Sequence, residues 1–370
     1  MTFIPSLSLH QPSTESGSLK GLAHWMRLAL SGQDLAPCAQ ELIARAQAHP
    51  DDANALMDLS IILQLNHSRE LALELQNEAL SIKPLYHVWS DRPHRIRLLA
   101  LCTPGDLMAN TPLECLLENS DISLDLLYVA SHLPLPKNIP EHDVAFMAIA
   151  ESDPNRAILT RMQPIVQNWP RPFINRPLPI LNLARETAYT LVRDEPLIEY
   201  PATFRIQKSS LEQVILQQQP LPGLINGPGF PIIIRPIASH AGHGLARISS
   251  LTELAHYLKN QTQQEFYVSR FIDYSSADGL FRKFRIVFIE DRPYLCHMAI
   301  SEHWMIHYLN AGMENSEAKR LEEALHMNSF DHDFALRHQK AFSILTQRIG
   351  LDYFGMDCAE TREGKLLIFE

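Results

Sequence analysis

The apolar residues of this chain change their spacing twice. From about Gly21 to Pro84 they recur at intervals of three and four with no alternating run, the signature of amphipathic helices. Ala55, Leu56, Leu59 and Leu63 fall on one helix face, and Leu71, Ala72, Leu75 and Ala79 on the next. From about His94 the texture becomes short continuous apolar runs. "RIRLLALCTPGD" holds one over Leu98–Leu101 and ends in a Pro-Gly turn, and "SLDLLYVAS" and "HDVAFMAIAES" have the same form. Helix-like pieces such as "TPLECLLEN" and "PNRAILTRMQPIVQNW" lie between and after them, which predicts a small parallel α/β unit. A proline-rich stretch then leads into a third segment near Asn182. There "FPIIIRP", "EFYVSRFI", "FRIVFIEDRPYLCHMAI" and "GKLLIFE" read as strands, and "LTELAHYLKN" and "FALRHQKAFSILTQRIG" as helices. Glu290, Asp291 and Arg292 read as a hairpin turn.

The predicted class is therefore α/β (α+β), in four parts: a flexible polar leader over 1–20, helices over 21–90, the small α/β unit over 91–180, and a mixed domain over 181–370. The helical stretch 51–84 closes on Pro84 and resembles one tetratricopeptide repeat, about 34 residues of helix–turn–helix. The preceding "AHWMRLALSGQDLAPCAQELIARAQAHP" is a looser copy. Two such units are fewer than usually stack stably alone, so they are expected to dock on the rest of the chain. This region is expected to serve a protein partner or self-association; a plain helical bundle is the alternative.

Composition narrows the class. The chain has 46% hydrophobic and 20% charged residues, an ordinary globular mix, and a formal charge of −10. Such an acidic balance excludes a general nucleic-acid binder, which needs basic excess against phosphates. The five cysteines are scattered without a CxxC pair and fit neither a disulfide framework nor a zinc site, as in a cytoplasmic protein. No apolar run reaches the roughly 18–20 residues that span a bilayer.

The chemistry is expected in the third segment. "FPIIIRPIASHAGHGLARIS" is an apolar strand followed by a loop with Gly242 and Gly244, a form that lets backbone N–H groups approach phosphate. Arg282, Lys283 and Arg285 place three cations in four positions, and Lys283 and Arg285 share a strand face at period two. Asp357 and Glu370 lie on two strands joined by "TREG", so both carboxylates can reach one end of a hairpin. Hard divalent cations take such oxygen ligands together with phosphate oxygens. His303 and His307 are four apart and would share a helix face, but no third zinc ligand has suitable spacing.

In this order, strand and glycine loop, basic strand pair, and terminal Asp/Glu hairpin, the segments over about 95–370 resemble the ATP-grasp superfamily of carboxylate–amine ligases, the type of glutathione synthetase and ribosomal-protein glutamate ligase. The resemblance implies an ATP-grasp fold behind a small α/β domain, with ATP and Mg²⁺ (or Mn²⁺) as cofactors. It implies a lid over the phosphates containing His240, Gly242 and Gly244, with phosphate contacts at Arg235 and Arg185, where the family usually has lysines. An arginine keeps phosphate binding but changes its geometry. The stretch "QEFYVSRFIDY" resembles the adenine-binding hinge, with Val268 and Phe271 against the base and Asp273 at the ribose. Arg285 and Lys283 would stabilise the transferring phosphoryl group, and Asp357 and Glu370 would hold the metal. His303, Trp304, His307 and Asn310 would line the acceptor side. The family places an asparagine two residues after the metal-binding glutamate; the sequence ends at Glu370, so the domain reads as truncated at its C-terminus. The implied reaction is ATP-dependent amide-bond formation on a peptide or amino-acid-like carboxylate. A non-catalytic adaptor with a degenerate, nucleotide-sensing domain is the rival reading. The arginines and absent asparagine favour the adaptor; the Asp357/Glu370 pair and basic strand favour the ligase.

Overall fold

The computed structural model describes residues 2–3, 17–88, 92–130, 133, 138–227, 229–237, 239 and 242–370. The chain forms two compact units, Met1–Leu181 and Asn182–Glu370, and its class is α/β. Most of the leader expected over 1–20 lies outside the described residues; Thr2–Phe3 pairs in parallel with Asn138–Ile139.

The first unit opens with four helices: α1 (Gly21–Leu30), α2 (Ala36–Ala48), α3 (Ala53–Leu65) and α4 (Arg69–Ile82). Asp52 starts α3 by accepting a hydrogen bond from the Ala55 amide. Ala55, Leu56 and Leu59 of α3 are buried, and so are residues on its other sides, Asp58 and Ser60 included, because α3 packs against α1, α2 and α4 together. Of the four residues placed on one face of α4, Ala72 and Ala79 are buried, while Leu71 is 51% exposed. Behind the helices lies a five-stranded sheet built from β1 (Leu85–Val88), β2 (Ile96–Cys102), β3 (Ile122–Tyr128), β4 (Val144–Met147) and β5 (Phe173–Ile174). Its order is β1-β3-β2-β4-β5, parallel except for the antiparallel edge strand β1. Leu99, Ala100 and Leu101 of β2 are fully buried, which explains their continuous apolar run. Two reciprocal hydrogen bonds tie α4 to the loop after β2: Gln76 Nε2 donates to the Gly105 carbonyl (3.1 Å), and the Gly105 amide donates to Gln76 Oε1 (2.8 Å).

The second unit contains two antiparallel-rich sheets. The first is formed by β7 (Thr203–Gln207), β8 (Ile232–Pro236), β9 (Ala246–Ile248) and β10 (Glu265–Arg270), in the order β9-β8-β10-β7 and wholly antiparallel. One face packs on helices Lys208–Ile215 and Leu251–Lys259 through Ile206, Ile232, Ile234, Phe266 and Val268. Ser250 caps the second helix by accepting from the Glu253 amide. The second sheet has β6 (Ile198–Glu199), β11 (Phe281–Ile289), β12 (Arg292–Ser301), β13 (Tyr353–Glu360) and β14 (Leu366–Ile368), in the order β12-β11-β13-β14-β6. Glu290 and Asp291 join β11 to β12 with φ of 47° and 66°, the backbone of a two-residue hairpin turn. Along β11, Phe284, Ile286 and Phe288 point to the helix side of the sheet, where Phe284 stacks on Phe334 and Phe288 packs edge-on to Phe342. Lys283 and Arg285 therefore point to the opposite side. No helix among the described residues is long and apolar enough to cross a membrane.

Candidate functional site

Strand register assembles the charged cluster. Arg285 of β11 is paired with His297 of β12 on one side and with Asp357 of β13 on the other. Directly opposed residues of antiparallel strands share a face about 5 Å apart, so the three form a row across the sheet. Lys283 lies one pleat along. Lys283 Nζ is 3.0 Å from Asp357 Oδ2, and Arg285 Nη1 is 2.8 Å from Asp357 Oδ1. Burial pushes the Asp357 carboxyl upward, but Lys283 and Arg285 outweigh it and hold the group below its ordinary value. Glu370 lies beside Asp357, two residues past the end of β14: the Asp357 amide donates to the Glu370 carbonyl at 3.0 Å. Its side chain is ion-paired with Arg185.

Arg235 belongs to the other sheet of the same unit, and its charge and those of Arg185 and Glu370 act on one another. Burial first, and then the like charge of Arg185, lower the Arg235 pKa from its ordinary value. An arginine in this setting still stays charged. Its Nε donates to Ser239 Oγ (3.1 Å), and its Nη2 donates to the Ser239 carbonyl, which ties the guanidinium to the start of the glycine loop. Gly244 has φ 68°, and a Cβ there would lie 2.7 Å from Pro236 Cδ, so this position needs glycine for both conformation and space. A Cβ on Gly242 (φ 74°) would sit 3.6 Å from Met305 Sδ. His240 lies outside the described residues.

The structure brings Arg185, Arg235, Lys283, Arg285, Asp357 and Glu370 into one electrostatic neighbourhood. It does not bring all the expected residues there. Val268 alternates with Tyr267 and packs with Phe266 in the helix-side core at 0% exposure, which leaves it no surface for a base. Tyr267 is the β10 residue paired with Arg235. Phe271 follows the strand end, with its ring edge-on to Trp304 (5.8 Å) and the Arg247 guanidinium 4.2 Å above it. Asp273 accepts from the Ser275 amide (3.0 Å) and faces Arg362 at 3.7 Å. His303 and His307 do not share a helix face, because 302–307 is turn and coil with a single 3₁₀ turn after it. His303 and Asn310 are exposed and Trp304 and His307 half-buried. The Asn310 side-chain Oδ1 accepts from the His307 amide at 2.9 Å, and the Tyr274 hydroxyl donates to the Trp304 carbonyl.

Two contributors escape a reading of the sequence. Arg247 is a lone cation on a short strand, and only the fold lays it on Phe271. His297 reads as one of three nearby histidines, whereas the register separates it from His303 and His307 and sets it beside Arg285. Its buried Nδ1 has no hydrogen-bond partner among the described residues. Burial lowers its pKa, so the imidazole favours its neutral form.

Among the described residues no group of three His, Cys, Asp or Glu could hold a metal ion by itself. Both Asp357 oxygens and one Glu370 oxygen already face cations. The donor set thus fits a hard cation that arrives with phosphate oxygens, which can take over the arginines and lysine as the carboxylates turn to the metal. It does not fit a free-standing metal site.

No family model matches the chain, and no curated protein matches it. Among solved structures it is similar to the VanG D-Ala:D-Ser ligase from Enterococcus faecalis, at 13% identity over 74% of this chain and 89% of that one, with a TM-score of 0.43. It is similar to D-alanyl-alanine synthetase A from Vibrio cholerae at 12% identity, over 75% of this chain and 88% of that one, with a TM-score of 0.43. A RimK domain protein ATP-grasp from Sphaerobacter thermophilus gives 12%, 74%, 88% and 0.40 for the same quantities. A likeness of this degree assigns neither substrate nor activity to this chain.

Proposed function

We propose that the second unit binds a nucleoside triphosphate with Mg²⁺ and uses it to activate a carboxylate for attack by an amine, in the manner of an ATP-grasp ligase. The observation that carries this reading is the cluster that sets Arg185, Arg235, Lys283 and Arg285 about Asp357 and Glu370. Four cations against two carboxylates leave a positive excess in a protein of formal charge −10, and a polyphosphate chelating a divalent ion complements that excess.

In this reading Asp357 and Glu370 would hold the metal, which would neutralise charge on the phosphates and align them. Lys283 and Arg285, released from Asp357, face the transferring phosphoryl group, and Arg235 holds the remaining phosphates beneath the glycine loop. The γ-phosphoryl group passes to a substrate carboxylate oxygen as ADP leaves. The amine then attacks the acyl carbon, the C–O bond to phosphate breaks, and inorganic phosphate departs with the electron pair. The protein's contribution is positioning and charge stabilisation. The region 21–90 is read as a tetratricopeptide-like surface for a protein partner or for self-association.

The test is thermal unfolding with and without ATP and Mg²⁺, on the parent and on Asp357→Asn. The expected result is a rise in the parent that Asp357→Asn abolishes. No shift in the parent would overturn the reading. ADP release in the presence of mixed amino acids and peptides then separates a ligase from a sensor, which would bind nucleotide without turnover.

A further inference from the structure

A cavity of about 620 Å³ lies within the same unit, apart from the charged cluster. Its volume falls in the range of small-molecule sites. Arg282 and Phe284, which line it, alternate along β11 with Lys283 and Arg285, so it opens on the other face of the sheet that carries the charged cluster. Its floor is apolar and rigid: Phe284 and Phe334 stack at 4.2 Å, and both are almost wholly buried, as is Tyr274.

The charged groups on its wall are unequal. Arg282, Arg337 and Arg362 line the cavity against the single carboxylate of Glu360. Asp278 and Glu322, which pair with Arg282, Asp333, which pairs with Arg337, and Asp273, which faces Arg362 at 3.7 Å, offset part of that charge from outside the wall. Arg337 spends Nε on Glu360 (3.1 Å) and Nη1 on Asp333. Arg362 spends Nε on the Ser275 carbonyl (2.9 Å) and Nη2 on Ser275 Oγ. Arg337 Nη2 and Arg362 Nη1 donate to nothing among the described residues. These bonds fix the orientation of both guanidiniums while leaving a donor on each, the arrangement that suits a planar carboxylate. His326 Nδ1 lies 3.0 Å from the Glu322 carbonyl, which assigns it the proton and leaves Nε2 as an acceptor.

We infer that this cavity is a binding site for a small organic carboxylate, held through its carboxylate group by Arg337 and Arg362. The inference does not depend on nucleotide binding or on any reaction in the charged cluster. An occupant would brace β11 from behind, at the residues next to Lys283 and Arg285.

Isothermal titration without nucleotide tests it, with glutamate, citrate and inorganic phosphate as probes. A carboxylate is expected to bind with a Kd of about 1 mM or tighter. Removing a charge-assisted donor in Arg362→Ala should weaken binding about tenfold. Ala277→Asp sets a carboxylate on the same wall and should also weaken it, which keeps the test decisive if Arg362→Ala folds poorly. Asp357→Asn should leave the affinity unchanged. The inference is overturned if no carboxylate binds, if Arg362→Ala and Ala277→Asp both bind like the parent, or if Asp357→Asn loses the affinity. Phosphate binding as tightly as the carboxylates would overturn the assigned ligand class.

Discussion

Glu114, in the short helix Leu113–Leu117, has its carboxyl set against the start of α1, where Oε2 accepts from the Ala23 amide at 3.4 Å. Asp58, its neighbour from α3, accepts from the amides of Lys20 and Gly21 and from Trp25 Nε1, each at 2.9 Å. Burial pushes the Glu114 carboxyl up to about 7; the Ala23 and Leu22 amides oppose this, and the charge of Asp58 adds to it. An acid whose folded pKa is raised binds its proton more tightly in the folded state. Its stabilisation is therefore full below its unfolded value of about 4.3 and is lost as pH rises through about 7. Thermal unfolding followed from pH 5 to 8 should show stability falling in the parent. Glu114→Gln, which cannot titrate, should flatten that fall. Nothing in "TPLECLLEN" marks this glutamate, because its environment comes from residues some 60 to 90 positions away. The same limit applies to Val268. Its residue type suits a base contact, and only the pairing of β10 with β8 decides which face it takes.

Strands and hairpins were more legible than helix surroundings. The turn expected over Glu290, Asp291 and Arg292, polar residues between two apolar runs, falls on Glu290 and Asp291, with Arg292 opening β12. Asp291 holds φ 66° without being glycine, a conformation that costs a residue with Cβ about 1–2 kcal/mol. Asp291→Gly should relieve part of that cost against the extra entropy of glycine, giving a net gain of up to about 1 kcal/mol. Urea denaturation measures it, and a loss of stability would show that the aspartate side chain supports the turn. By contrast the shared face of Ala55, Leu56 and Leu59 on α3 did not show how much more of that helix is buried. A helix surrounded by α1, α2 and α4 needs no polar face, so its pattern does not reveal its neighbours. His303 and His307 failed for a related reason: spacing of four means a shared face only inside a helix, and this segment is coil.

At the scale of the whole chain, the two units have separate cores, and the charged cluster lies wholly within Asn182–Glu370. Calorimetry with ATP and Mg²⁺ should therefore raise the unfolding transition of the second unit and leave that of the first unchanged. A ligand present at 100 times its Kd adds about 2.7 kcal/mol to the unit that binds it. Equal movement of both transitions would mean that the units unfold as one, or that the ligand also binds the first. The net charge of −10 says nothing of this local excess, because carboxylates elsewhere on the chain mask it.

What the residues determined alone was the local and the repetitive: the run Leu98–Leu101 as a buried strand, a hairpin turn after β11, and the shared face of Lys283 and Arg285. Those depend on period, turn chemistry and backbone sterics, which act over a few positions. Tertiary structure decided what depends on long-range register. It set Arg285 between His297 and Asp357, brought Arg185 to Glu370, laid Arg247 over Phe271, and turned Val268 into the core. A strand's period states which residues share a face; only its neighbours state what that face meets.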